Sequence, residues 1–258
     1  VVSFPCTLIG SGEPWKTVDV IKGVNWLTYE GGKFSTSQRR GVFLDQALAL
    51  LPADYWRWWL ASNAPEANDT DFTFERFAAD VNHDLADTFG NLVNRILKFV
   101  ESRYGGIVPI VGEPSAREFA LAAQIDIDLR SLRGHHAGRS FRKAAEEVRQ
   151  LWRLGNGYFA GEAPWSTFTD DPERTAVVAR TGASLVAIAA QAAWPFIPAA
   201  AERVLEALGH GRGRPPWPTS ASITRADLLP EWRVGPLLPL FEKLSPDWVE
   251  AQTARYAG

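Results

Sequence analysis

Leu85, Phe89, Leu92, Val93, Ile96, Leu97 and Val100 recur at the 3.6-residue period of an α-helix. A chain with such a stripe must bury one face of a long helix against other helices. The period predicts a helix over 74–103, ended by Gly105-Gly106 and Pro109. Gly90, in its middle, costs about 1 kcal/mol relative to Ala, so close approach of another backbone or a nucleic acid is expected there. Ser115 with Glu118 three residues on is a capping box, opening a helix over 115–132. Gly134 to Gly138 reads as its break. Further helices are expected over 140–159, 172–194 and 198–208. Residues 209–235 are rich in Pro and Gly and read as irregular, with Trp217 and Trp232 as pins. Ser245-Pro246 opens a closing helix.

The first 72 residues are organised differently. Val1 to Ile9 reads as a strand, and Ser11-Gly12-Glu13-Pro14 as a turn. Trp15 to Lys22 and Val24 to Tyr29 read as short strand or mixed elements. Asp45 to Leu51 reads as a helix. Pro52 suits the first turn of another, with Asp54 at its positive end. Tyr55, Trp58 and Trp59 share one helical face, so this aromatic run, Trp56 included, reads as core and not as a platform for stacked bases. Residues 64–71 read as a loop.

A chain of 258 residues, 46% hydrophobic, can bury a sizeable core in one large domain or two. The net charge of −3 excludes a globally basic nucleic-acid binder. Arg130, Arg133, Arg139, Arg142 and Lys143, with His135 and His136, form the one strongly basic segment, suited equally to phosphates and to solvent. The lone Cys6 excludes a disulfide framework and fits a reducing, cytoplasmic compartment. The four His and one Cys have no metal-ligand spacing, so no metal site is expected. No apolar run is long enough for a transmembrane helix, and Ala183 to Ala193 reads as a buried helix. The chain starts at Val1 and has no Met, so a trimmed product or fragment is expected.

Gly31-Gly32-Lys33-Phe34-Ser35-Thr36-Ser37 has the make-up of a phosphate-handling loop. Its glycines permit close backbone approach, Lys33 is a compact charge, and the hydroxyls donate to phosphate oxygens. A polar surface turn is the alternative. Gln38-Arg39-Arg40 adds charge that reads as solvated. Asn91 and Arg95, four apart, lie on one helical face. An amide and a guanidinium together can satisfy the Watson–Crick edge of a splayed base, though on spacing alone two solvent-facing side chains are the commoner outcome. Gly134-His135-His136-Ala137-Gly138 lies between helices and lacks a closing His, so it is not a nucleotide-fold HIGH motif.

The run Asn25 to Ser37 resembles the KMSKS signature loop of class I aminoacyl-tRNA synthetases, in the KFSTS form of bacterial methionyl-tRNA synthetases. The resemblance continues through Gly41-Val42-Phe43 and Leu51 to Leu60 and covers nearly the whole chain. It implies a mainly α fold. An α-helical anticodon-binding bundle with a tail (73–258) would follow a small α/β remnant of the class I catalytic fold carrying the loop (1–72). It implies Lys33 as the catalytic lysine, stabilising charge on departing pyrophosphate, and Lys33, Phe34, Ser35, Thr36 and Ser37 as the ATP site. Mg2+ is expected with the ATP. Thr36 stands where the signature usually has a second lysine. Asn82 to Arg95 is similar to the first bundle helix, where the residues matching Asn91 and Arg95 contact the first anticodon base, a cytosine. Gly155 to Tyr158 and Glu162 to Trp165 resemble the end of the third bundle helix and its loop, where the residue matching Trp165 stacks on that base. The partners implied are tRNA(Met) and an N-terminal catalytic half, in the same or a separate polypeptide. That half would hold the HIGH motif and methionine pocket, so this chain alone is expected not to form methionyl-adenylate. A monomer is expected. Two other readings remain: a synthetase-like enzyme activating an amino acid for biosynthesis without tRNA, and a non-catalytic tRNA-binding protein.

Overall fold

Helices follow the apolar periods along most of the chain. The structure, a computed structural model, describes residues 3–224, 232–235 and 239–256. The elements are α1 (Ser3–Gly10), β1 (Leu27–Tyr29), α2 (Leu44–Leu50), α3 (Ala53–Ser62), β2 (Thr70–Phe72) and α4 (Phe74–Val81). A π-helical stretch, Asn82–Gly90, joins α4 directly to α5 (Asn91–Tyr104). Then come α6 (Ala116–Ala137), α7 (Phe141–Glu162), α8 (Pro164–Thr167), α9 (Pro172–Ala193), α10 (Pro198–Ala207), α11 (Ala221–Thr224) and α12 (Pro246–Arg255). β1 and β2 form a two-stranded parallel sheet, with Leu27 opposite Thr70 and Tyr29 opposite Phe72. The mainly α class is as expected.

Several sequence expectations are corrected. Residues 3–10 form a helix and not a strand. None of them is buried, so no core face enforces a two-residue period, and local bonds such as Thr7 Oγ1 to the Ser3 carbonyl decide. Residues 15–22 form no strand; Trp15 and Trp26 are exposed. The loop expected over 64–71 ends in β2. Gly134 does not break α6, which continues to Ala137. Gly90 meets no second backbone among the described residues: a Cβ there would lie 3.0 Å from the Leu85 carbonyl oxygen of its own π turn. Pro52 stands at the N-cap of α3, one position before the helix.

The core forms where helices meet. Tyr55, Trp56, Trp58 and Trp59 are all buried. Trp58 and Trp152 lie 4.6 Å apart, and Trp152 and Phe89 4.9 Å, which ties α3 and α7 to the π-helical stretch. Buried Asp84 accepts from Trp58 Nε1 and Arg149 Nε, each at 2.9 Å. Asp54 serves another helix as well as its own, accepting from the Ala200 amide at 2.7 Å in the first turn of α10. α9 is long and apolar enough to cross a membrane, but 94% of its apolar window is buried inside the protein. It is the central core helix. α7 comes close to α5 because residue 155 is glycine: a Cβ there would lie 2.9 Å from a Leu92 methyl. In the tail, Trp232 Nε1 donates to the Leu208 carbonyl at 2.6 Å, and Trp217 packs on His136. Ser245 caps α12. The residues 225–231 and 236–238 of the expected irregular tail and the start of the closing segment lie outside the described residues.

Candidate functional site

Two groups of side chains carry the chemistry, one on the loop after β1 and one on the bundle. The loop is held at its base. Glu30 and Gly31 both take left-handed conformations, and the Asp71 carboxylate in the middle of the facing strand accepts from the Gly31 amide at 2.9 Å and from Thr28 Oγ1 at 2.6 Å. Arg40 Nη2 donates to the carbonyls of Tyr29 (3.1 Å) and Glu30 (2.9 Å). Arg40 is thus a clip across the loop and not the solvated charge expected from the sequence. The Ser35 and Arg40 backbones pair, closing residues 36–39 into a tip.

Phe34 points inward. Its ring lies 5.4 Å from Tyr29 and 6.3 Å from Phe43. It covers Gly41, where φ is +106° and a Cβ would lie 2.4 Å from the ring. Only glycine fits there. Burial, then the Glu30 carboxylate, push the Tyr29 phenol up to about 12, so it is a neutral floor. Lys33, Thr36 and Ser37 are exposed, and Ser35 is half-buried with its hydroxyl 3.3 Å from that of Ser37. The arrangement leaves an unencumbered ammonium and hydroxyls on a braced loop, fit for a polyphosphate.

On the bundle, Asn91 is exposed at the first turn of α5 and Arg95 is half-buried one turn later. Trp165, in α8, is 46% exposed. The Arg95 guanidinium carbon lies 5.5 Å from the Trp165 ring centroid and 5.9 Å from that of Phe159, within cation–π range. Fold and sequence distance thus meet: residues 91, 95 and 165 share one face. Asn156 joins them from α7, its Oδ1 3.4 Å from Asn91 Nδ2. It lies in the run Gly155 to Tyr158 quoted for the resemblance, but nothing in the sequence alone singled it out.

The segment bearing Trp165 is clamped at both ends. Arg174, near the start of α9, makes a two-pronged pair with Glu118 (2.7 and 2.8 Å) and reaches Glu162 at 2.6 Å. Tyr158 donates to Glu118 at 2.6 Å, and the Ser115 amide at 2.8 Å. Burial alone would raise the Glu118 pKa, but Arg174 and then Tyr158 and Ser115 outweigh it and hold the carboxyl at about 2. The capping box located Glu118 in the sequence; Arg174 left no signal there, since its partner is 56 residues away.

The basic segment divides. His136 faces inward, stacked 5.5 Å from Phe196, and burial lowers its pKa, so it is a neutral packing group. Arg133 lies over Trp217 at 5.5 Å. Arg130, Arg139, Arg142 and Lys143 are exposed. Among the described residues no group of three or more His, Cys, Asp or Glu is placed to hold a metal ion.

Comparison with known proteins fits this geometry. Residues 108–258 match the family model of the anticodon binding domain of methionyl tRNA ligase. Residues 1–97 match that of the class I (M) tRNA synthetases. The chain belongs to the methionyl-tRNA ligase family. The methionine–tRNA ligases of Ruegeria pomeroyi and Maricaulis maris are 48% and 47% identical to it over all of this chain, and in each the match covers 45% of the relative's own length. The chain therefore spans about half the length of the curated relatives it matches. The crystal structure of free Mycobacterium tuberculosis methionyl-tRNA synthetase aligns with a TM-score of 0.75 at 26% identity, over 95% of this chain and 47% of that one. The same synthetase bound by methionyl-adenylate gives 0.71 at 26% identity, over 84% and 43%.

Proposed function

We propose that this chain is part of a methionine–tRNA ligase, supplying the phosphate-handling loop and the anticodon reader. In the whole enzyme methionine and ATP give methionyl-adenylate and pyrophosphate, and the methionyl group then passes to the 3′ end of tRNA(Met). The known adenylate-bound relative supports the first step as the chemistry of the family. Lys33 meets the charge that grows on the departing pyrophosphate, the kind of electrostatic help that lowers a phosphoryl-transfer barrier. Ser35, Thr36 and Ser37 hydroxyls and the loop amides bind phosphate oxygens, with Mg2+ arriving on the ATP. Phe34 acts in this site by anchoring the loop from below. Residues 1–72 are the end of the catalytic fold with its connecting module, and 73–258 the anticodon-binding domain with its tail. The rest of the catalytic machinery lies in the part of the relatives that this chain does not span. The protein works as a cytoplasmic monomer.

The single observation that carries the reading is the seating of Arg95 against Trp165, one turn from Asn91. A half-exposed indole beside an amide and a guanidinium stacks on a base and reads its edge at once. Binding of tRNA with anticodon CAU, of the same tRNA with its first anticodon base changed, and of Trp165→Ala protein tests it at one fixed salt concentration. Both changes are expected to weaken binding about tenfold or more, as loss of a base stack does. Equal affinity in all three combinations overturns the reading and moves attention to a tRNA-independent enzyme.

A further inference from the structure

We propose that Asn156 determines which base the anticodon site accepts, by fixing the orientation of the Asn91 amide. The inference rests on the reading of Asn91 and Arg95 as the base-edge contacts. It starts from an amide with no freedom of its own. Asn156 Nδ2 lies 2.9 Å from the Thr88 carbonyl oxygen, in the π-helical stretch, and 3.0 Å from the Trp152 carbonyl oxygen, one turn back in α7. Both are acceptors only, so the two N–H groups of Asn156 are committed and its amide cannot turn over. Oδ1 therefore faces Asn91.

An oxygen in that position selects the matching half of Asn91. Asn91 Nδ2 stands 3.4 Å from it. The flipped amide would set two carbonyl oxygens against each other with no proton between them. Asn91 Oδ1 is thereby turned to the exposed side, where it can only accept. Arg95, one turn on, can only donate. The pair presents one acceptor beside donors.

Cytosine matches that order. Its amino group donates, and its ring N3 and O2 accept. Uracil reverses the first two positions: O4 accepts and N3 carries a proton. Against uracil the Asn91 oxygen would meet O4, and an Arg95 N–H would meet N3–H. An Asn91 free to flip would offer its NH2 to O4 and lose most of that discrimination. Asn156 touches no base in this scheme. It is a positioning residue whose effect appears in the ratio of two affinities.

The test uses stem–loop RNAs with anticodon CAU or UAU, the full 258-residue chain, and the variants Asn156→Ala and Asn156→Ser, at one salt concentration. Serine can still bond the Trp152 carbonyl four residues back, so it covers a failure of the alanine variant to fold. Wild type is expected to favour CAU by about tenfold or more, the scale of one well-made base-edge contact. The variants are expected to bring that ratio to within about threefold of unity, with UAU binding kept or improved. A variant that weakens both RNAs equally and keeps the ratio overturns the inference, because packing α7 on α5 would then be the whole role of Asn156. Wild type that binds both RNAs alike overturns the underlying reading instead.

Discussion

The loop after β1 and the face of α5 hold their functional groups in opposite ways. The loop is braced from beneath, by the Asp71 carboxylate and the Arg40 guanidinium acting on backbone groups and by the inward Phe34 ring, while the Lys33 side chain is left in solvent. On the bundle the side chains themselves are fixed. Arg95 lies against two rings, Asn91 against a locked amide, and the Trp165 segment between Glu162 and Arg174. The difference fits the roles proposed for the two regions. A charge that follows a departing phosphate has to travel with it. Groups that read a base edge must stand still, because a shift of about an ångström is enough to lose a directional hydrogen bond.

Three experiments press on this contrast, from the largest effect to the smallest. Arg174→Ala should strike the rigid side hardest, since it leaves Glu118 charged, buried and without its partner. A loss of roughly 3–5 kcal/mol is expected, seen as a fall in Tm on the order of 10 °C. A fall of only a degree or two would mean that the clamp does not hold the bundle.

Acid should act on the same clamp. The Glu118 carboxyl sits at about 2 when folded, below its ordinary value of about 4.3. The folded state therefore binds this proton less readily than the unfolded one. Its contribution is complete above the ordinary value and is lost as pH falls toward 2, for a total of roughly 3 kcal/mol. Urea unfolding of wild type and Glu118→Gln at pH 6 and pH 3 measures it. The stability gap between them should narrow at the lower pH, and a constant gap would refute the linkage.

The smallest effect is expected at the loop. Lys33→Ala should move Tm by no more than about a degree, as exposed substitutions usually do, and leave RNA affinity unchanged. A drop of several degrees would show that the lysine helps to hold its own loop, and the contrast with the bundle would collapse.

The sequence was most legible where burial enforces a period. The stripe from Leu85 to Val100 and the Ser115 capping box located helices closely, because one face of each must enter the core. It misled where burial is absent: residues 3–10 bury nothing, so their apolar content says little about which period wins. Gly134 misled for the opposite reason, since the α6–α7 packing carries the helix past a residue that would end it in isolation, and Gly138 is where α6 ends. Asn91, Arg95 and Trp165 were legible through the family likeness, and the fold brings them together. Asn156, Arg40 and Asp71 were not, because each acts on a backbone carbonyl or amide of a distant segment, and no spacing along the chain encodes that. Tyr55, Trp58 and Trp59 were read as core by spacing alone, and the Trp58–Trp152 contact shows why Trp58 cannot also be part of a platform for bases.

The π-helical stretch between α4 and α5 has one more consequence. Successive residues of an α-helix are about 100° apart around its axis. A wider turn inserted upstream therefore sets the angular phase of everything after it. Shortening Asn82–Gly90 by one residue to restore α-helical turns would leave a helix of nearly the same length and composition, yet swing Asn91 and Arg95 by about a quarter turn, away from Asn156 and Trp165. The reading face works like a key whose cut depends on where the blank was twisted. The wide turn is a timing element for the bundle, and its length is under the same constraint as the side chains proposed to meet the base.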